Sequence, residues 1–249
     1  MKKTLVALSL AAMTLPALAQ DKKAPEPDYT ITGNFGLFSD YKFRGISQTN
    51  NKPAAQGGFD FAHKSGIYVG TWTSNVSQWT AAGASQEIDL YGGLKGNFSE
   101  FGYDVGYIAY QYPGNTANPK NNTREVYIGV TYGSLSYKIS RSQSNWFGIA
   151  ANSDGSIYHD LKISYPLSEK VTINFHAGMQ KIENDTADYK DYSLGLGYDL
   201  GNGYSLGLAY ISTSFDNNTR RDAWAGSATN TANAKLYESK AVASITKTF

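Results

Sequence analysis

Asp60, Glu87, Asp89, Asp104, Glu125 and Asp160, together with Lys138, Lys162 and Lys240, each stand on the polar side of a segment whose residues alternate polar and apolar. Nothing in their spacing gathers a nucleophile and a base at one point, so they do not suggest bond-making chemistry. What they can do is set a field. In a narrow water path with low-dielectric walls, modest fixed charge biases which ions enter. Six acids against three bases predict a mild cation preference. Two features oppose it. Asp160 and Lys162 are neighbours on one face and neutralise each other, while Lys42 and Arg44, beside Asp40, place positive charge where the path would open.

Other chemistries are poorly supported. The three histidines are dispersed: His63 in a turn, His159 on an apolar face and His176 on a polar face. His159 has Ser153 and Ser156 nearby in sequence, but no spacing motif activates either hydroxyl. Without cysteine, thiolate metal sites and disulfides are excluded. The acidic stretch ENDTADYKD (183–191) lacks the ligand spacing of a calcium loop and reads as a solvated loop. No enzyme activity, cofactor or resident metal is expected. Basic and acidic residues nearly balance, so nucleic acid is not an expected partner.

The elements that must position these charges are strands. Residues 1–19 read as a secretory signal: Lys2 and Lys3, an apolar core from Leu5 to Leu15, then Ala17-Leu18-Ala19. Residues 20–28 form a charged, proline-containing lead-in. From Tyr29 onward the hydrophobic period is 2. In VTINFHAGMQ, Val171, Ile173, Phe175, Ala177 and Met179 share one face, with Thr172, Asn174, His176, Gly178 and Gln180 on the other. Twelve such segments are predicted, near 29–41, 54–63, 67–75, 85–95, 101–112, 123–132, 135–142, 156–166, 171–180, 191–199, 204–213 and 236–249. Most approach the roughly 9–11 residues a tilted strand needs to cross a bilayer. Their connections alternate strictly between short, such as HKSG and PLSEK, and long and polar, such as PGNTANPKNN. Outer-membrane barrels alternate in this way, with short periplasmic turns and longer external loops. An even strand count puts both chain ends on the periplasmic side.

The aromatic residues, 14% of the chain with 19 tyrosines, fall at the ends of the predicted apolar faces. Tyr29, Phe61, Tyr103, Tyr132, Tyr137, Tyr165, Tyr198, Tyr204 and Phe249 mark the periplasmic end. Tyr41, Tyr112, Tyr192, Tyr210 and Phe215 mark the other, with Trp79, Trp146 and Trp224 in the loops. Amphipathic rings favour the headgroup level, so two girdles are expected. In a closed barrel the last strand pairs with the first, because lipid offers an open backbone edge no partner. AVASITKTF (241–249) then forms the seam, with Phe249 as an assembly signal for the insertion machinery; only Lys247 breaks its apolar alternation. Small residues such as Gly58, Gly93, Gly106, Gly178 and Gly195 recur on the polar faces. They either leave bore for water or make room for Tyr91, Tyr110, Tyr127 and Tyr158; a narrow bore is the expectation.

SDYKFRGISQT (39–49), followed by QGGFDF (56–61), GIYVGTWTSNV (66–76), EIDLYGG (87–93) and the terminal SITKTF, resembles the TorF-type family of Gram-negative porin-like proteins. The resemblance implies an outer-membrane β-barrel with a channel role and no established substrate. Arg44 carries a rigid fork of donors that suits a carboxylate, a lipopolysaccharide phosphate or a solute at the mouth. It equally suits a barrel acid such as Asp40 or Asp60, which would pin the first loop. Gly45 permits a turn that folds this loop inward.

The combined expectation is an all-β transmembrane antiparallel barrel over residues 29–249, in the outer membrane of a Gram-negative bacterium. It would be a monomer in contact with outer-membrane lipid and lipopolysaccharide, passing small hydrophilic solutes by passive diffusion. The alternative is a structural or adhesive barrel with a closed lumen, whose external loops bind a partner.

Overall fold

The computed structural model describes residues 27–77, 82–148, 152–216 and 235–249. The signal segment 1–19, most of the lead-in, Trp79 and Trp224 lie outside the described residues. The fold is a closed antiparallel barrel of twelve strands. In chain order these are β1 (Tyr29–Phe38), β4 (Ala54–His63), β5 (Ile67–Asn75), β6 (Gln86–Phe98), β7 (Phe101–Gln111) and β8 (Thr123–Tyr132), then β9 (Leu135–Ser142), β10 (Ile157–Pro166), β11 (Val171–Lys181), β12 (Tyr189–Gly201), β13 (Tyr204–Phe215) and β14 (Lys240–Thr248). The two remaining strands, β2 (Lys42–Phe43) and β3 (Ile46–Ser47), form a separate hairpin inside the first long connection. Lys235–Tyr237 make one turn of 3-10 helix, and no described helix is long and apolar enough to cross a membrane.

Each barrel strand pairs with its sequence neighbour, and β14 closes on β1. The period-2 pattern explains the walls. Phe59, Val69, Leu90, Ile128, Leu194 and Leu208 are exposed on the outside, whereas their strand neighbours face the interior. Such an apolar exterior is stable only in hydrocarbon, and closure leaves no unpaired edge there. The short connections 64–66, 99–100, 133–134, 167–170 and 202–203 all lie at one rim, and the long ones at the other.

At the short-turn rim the expected aromatic belt is present, with Tyr29, Tyr103, Tyr132, Tyr165, Tyr198, Tyr204 and Phe249 all exposed. Lys247, the irregular residue of the last strand, reaches this rim, where its ammonium lies 4.4 Å from the Tyr204 ring centroid and donates to the Asn202 carbonyl. At the long-loop rim Tyr192 and Tyr210 point outward as expected. Tyr41 and Tyr112 do not: they are buried under loops folded over the mouth, and Trp146, in a loop as expected, is buried there too. The last strand also begins at Lys240 and not at 236, because Leu236 is drawn into that buried cluster by the 3-10 turn.

With every spanning backbone group paired in a closed ladder, the folded barrel should migrate as a compact species in unboiled SDS and slow on heating. Equal mobility with and without boiling, together with helical circular dichroism, would contradict the fold.

Candidate functional site

The first long connection does not stand outside the barrel; it plugs the lumen. Lys42 pairs with Ser47 and Phe43 with Ile46, leaving Arg44 and Gly45 as a two-residue turn. Both have positive φ, +45° and +80°, the signature of a type I′ hairpin. Glycine accepts this conformation freely, whereas an arginine is strained by about 1–2 kcal/mol. The strain is offset at the tip. Arg44 Nη1 and Nη2 donate to the two oxygens of Glu125 at 3.0 and 2.6 Å, and Nη1 also donates to Gln180 Oε1 at 2.9 Å. Its guanidinium carbon lies 4.2 Å from the Tyr158 ring centroid. Burial works against the charge, but the Glu125 carboxylate, together with Tyr110 and Tyr158, outweighs it and holds the Arg44 pKa above the ordinary arginine value. The group remains a cation.

The rest of the plug is equally tied. Asp40 accepts from Ser47 Oγ at 2.6 Å and Thr49 Oγ1 at 3.0 Å, bracing the hairpin base. Lys42 Nζ donates to the carbonyls of Leu236 and Glu238. Lys240 Nζ reaches Asn51 from the start of the last strand. Thr213 Oγ1 donates to the Gly45 carbonyl, and a side chain at Gly45 would collide with Thr213 and Asp191. Phe43 packs edge-on against Tyr110 and Phe147, while Ile46 joins a cluster with Trp146, Tyr189 and Leu236.

Beneath the hairpin tip a cavity of about 410 Å³ remains against the β9–β13 wall. Lys42, Arg44, Lys138, Tyr158, Asp160, Lys162, Asn174, His176, Asp191 and Ser193 contribute to its lining. Lys162 bonds Asp160 at 2.8 Å, yet its side chain is 53% exposed, so water enters. His176 bridges two carboxylates, with Nδ1 3.1 Å from Asp160 and Nε2 2.7 Å from Asp191. On the opposite wall tyrosines hold the acids: Tyr91 donates to Asp60 at 2.7 Å and Tyr68 to Asp104 at 2.6 Å. Glycines seat these rings. A Cβ at Gly106 would strike the Tyr127 hydroxyl, and one at Gly178 the Tyr158 hydroxyl. At Gly106 and Gly178 the small residue makes room for a tyrosine, whereas Gly58 meets backbone and Gly195 meets Ala209.

Residues 22–249 match the family described as "Bacterial protein of unknown function (Gcw_chp)". The chain belongs to this family. That family's description does not carry the TorF-type name. No curated protein matches the chain. Among solved structures, the chain is similar to the KdgM porin (TM-score 0.55, 8% identity, covering 88% of this chain and 99% of that one). It is also similar to the NanC porin (TM-score 0.51, 9% identity, 88% and 99%). The outer membrane phospholipase A of Escherichia coli gives TM-score 0.50 at 13% identity, covering 92% of this chain and 94% of that one. At these identities the likeness is one of fold.

In this Gcw_chp chain the residues singled out from sequence occupy different places. Asp160, Lys162 and Lys138 line the cavity. Asp60 and Asp104 face the lumen but are held by tyrosine hydroxyls. Glu87, Asp89 and Glu125 do not line the cavity: Glu125 is covered by Arg44, Glu87 is 1% exposed beneath Tyr41, and Asp89 is 6% exposed beside it. Their assignment to the pore wall is corrected by the folded-in loop. Lys240 likewise anchors the plug. Arg44 does pin the first loop, but its partner is Glu125 and not Asp40 or Asp60.

Asp191 is the site residue that sequence reading missed; Tyr158 and Gln180 were placed on the inner face without their roles as partners of Arg44. Asp191 shares the parity of Ser193 and Gly195, but the acidic loop before it disguised it as a loop residue. The serines near His159 serve the loop: Ser153 Oγ accepts from Trp146 N, and Ser156 Oγ donates to the Ser153 carbonyl. His159 itself faces outward and bonds the Tyr137 hydroxyl.

Proposed function

We propose that the protein is a porin-like channel of the Gram-negative outer membrane, passing small hydrophilic solutes by passive diffusion, with the first-loop hairpin as its constriction. A water-accessible, charged cavity inside a closed, apolar-walled barrel carries this reading. The signal-like residues 1–19 fit export, and the short-turn rim, where both ends of the barrel lie, fits the periplasmic side. The polar long loops then face lipopolysaccharide. A monomer suffices, since the barrel closes on itself.

A second reading has its own support. Two clusters of rings and aliphatic side chains cover the long-loop mouth, one around Trp146 and Tyr189, the other around Tyr41 and Tyr112. A structural or adhesive barrel with a closed lumen would be built this way. Reconstitution into planar bilayers separates the two. The channel reading expects small, discrete conductance steps from the wild type, and neutral-sugar entry into proteoliposomes in swelling assays. Absence of steps both from wild type and from a variant lacking residues 42–47 leaves the closed-lumen reading standing.

A further inference from the structure

The cations around the cavity are unequally committed. Arg44 is saturated by Glu125 and Gln180, Lys162 is paired with Asp160, and His176 lies between Asp160 and Asp191. Lys138 is different. Its ammonium lies 5.2 Å from the Tyr127 ring centroid and has no carboxylate at ion-pair distance among the described residues. The register explains why. Lys138 stands between Asp160 on β10 and Gly129 on β8. Asp160 is already engaged by Lys162 and His176, and Gly129 offers no side chain. At the cavity roof Lys42, among the described residues, donates only to carbonyl oxygens. The acids of the cavity wall are therefore already engaged, while two ammonium groups face it with no carboxylate at ion-pair distance among the described residues.

We propose that this wall is a binding subsite for small organic anions, mono- or dicarboxylates or acidic sugars, with Lys138 as the group that takes the carboxylate. The inference rests on the channel reading for its physiological sense. Lysine suits the task as a compact charge with three rotatable donors on a flexible stem, which can meet a passing carboxylate from several directions. Its neighbours favour an organic anion over a bare halide. Ser164 donates to Asn174 Oδ1 at 2.8 Å, which turns the Asn174 amide nitrogen into an available donor, and Ser193 adds a hydroxyl on the same wall. The Phe43 and Tyr158 rings supply apolar surface for a carbon skeleton. The cavity also lies within the roughly 300–1,000 Å³ typical of small-molecule sites. With Glu87, Asp89 and Glu125 withdrawn behind the plug, this lining reverses the cation preference expected from strand parity alone.

The test uses the full barrel in detergent micelles, titrated calorimetrically with gluconate and, as a neutral match of similar size, sorbitol. Gluconate should bind and sorbitol should not, and rising salt should weaken the gluconate signal. Lys138→Gln should weaken gluconate binding about tenfold, the scale of one charge-assisted hydrogen bond. Lys138→Arg should retain most of it, and Lys95→Gln, from the opposite wall, should change nothing. Lys138 makes no hydrogen bond among the described residues, so Lys138→Gln should keep the heat-dependent gel shift of a folded barrel. Equal signals from gluconate and sorbitol, or wild-type affinity in folded Lys138→Gln, would overturn the subsite. Bilayer recordings keep the two readings apart: conductance without gluconate binding removes the subsite and keeps the channel, and gluconate binding without conductance keeps the subsite and removes the channel.

Discussion

Arg44→Ala should raise single-channel conductance several-fold over wild type and make the recordings noisier. The Arg44 side chain is 7% exposed and the Glu125 side chain 1%, so the substitution leaves a buried carboxylate with no cation. Breaking one partner of a buried pair costs about 3–5 kcal/mol. A two-state element moves from 1:99 to 99:1 with about 5.5 kcal/mol, so a loss of this size shifts the plug substantially toward release. Its release is opposed by the Thr213 bond to Gly45 and by the Phe43 ring contacts, which is why the expected state is a fluctuating plug and not a permanently open lumen. Glu125→Gln should act in the same direction, by leaving the guanidinium without its counter-charge. The informative variant is the double substitution Arg44→Met with Glu125→Leu. An apolar pair of similar volume removes the unpaired charge and should restore conductance toward wild type. Unchanged conductance in Arg44→Ala would mean that this pair does not hold the constriction.

Deleting Phe249 should sharply reduce the yield of folded barrel in the membrane and leave unassembled chain behind. The seam is the shortest ladder in the sheet: β1 and β14 pair over only Asn34↔Thr248 to Phe38↔Ser244, while β1 and β4 pair along their full length. Phe249 extends the seam by two backbone bonds, accepting from Gly33 N at 2.7 Å and donating to Gly33 O at 2.9 Å. Its ring meets Phe59 edge-on at 6.5 Å, and a side chain at Gly33 would collide with it. Removing the residue strips both bonds and uncovers backbone at a barrel edge, where lipid supplies no substitute. Fractionation and the unboiled-gel shift measure the outcome. Wild-type levels of heat-modifiable barrel from the truncated chain would show that the terminal ring contributes nothing to closure.

Strands and faces were legible because they depend on one local rule. Every barrel residue meets either the apolar exterior or the interior, and alternation records the choice residue by residue. Parity alone thus placed Glu87, Asp89, Glu125 and Lys138 on the inner face. It could not say what they meet there. The partner of Arg44 lies 81 residues away, on the far wall, and the sequence carries no mark of that distance. Tyr41 and Tyr112 were misplaced for a related reason: an aromatic residue at a strand end suits a membrane interface and a packed loop equally well. The loops decide between the two, and their path is a tertiary matter. The SDYKFRGISQT stretch stood out in the sequence as a recognisable motif, and in the fold it is the plug, with Arg44 bound to the barrel wall and Asp40, Ser47 and Thr49 bracing the hairpin base.

The plug's anchors also impose an order of events. Lys42 is tied to Leu236 across 194 residues, Lys240 to Asn51 across 189, and Arg44 to Gln180 across 136. The loop made near the beginning of the chain therefore finds its partners only when nearly all of the chain has arrived. Contacts this distant form late, after their closure entropy has been met by other pairings. Until the final strand docks, the hairpin lacks its last anchors and residues 42–47 remain within reach of a protease; afterwards they are enclosed. A seated hairpin is thus a certificate that the last strand has docked.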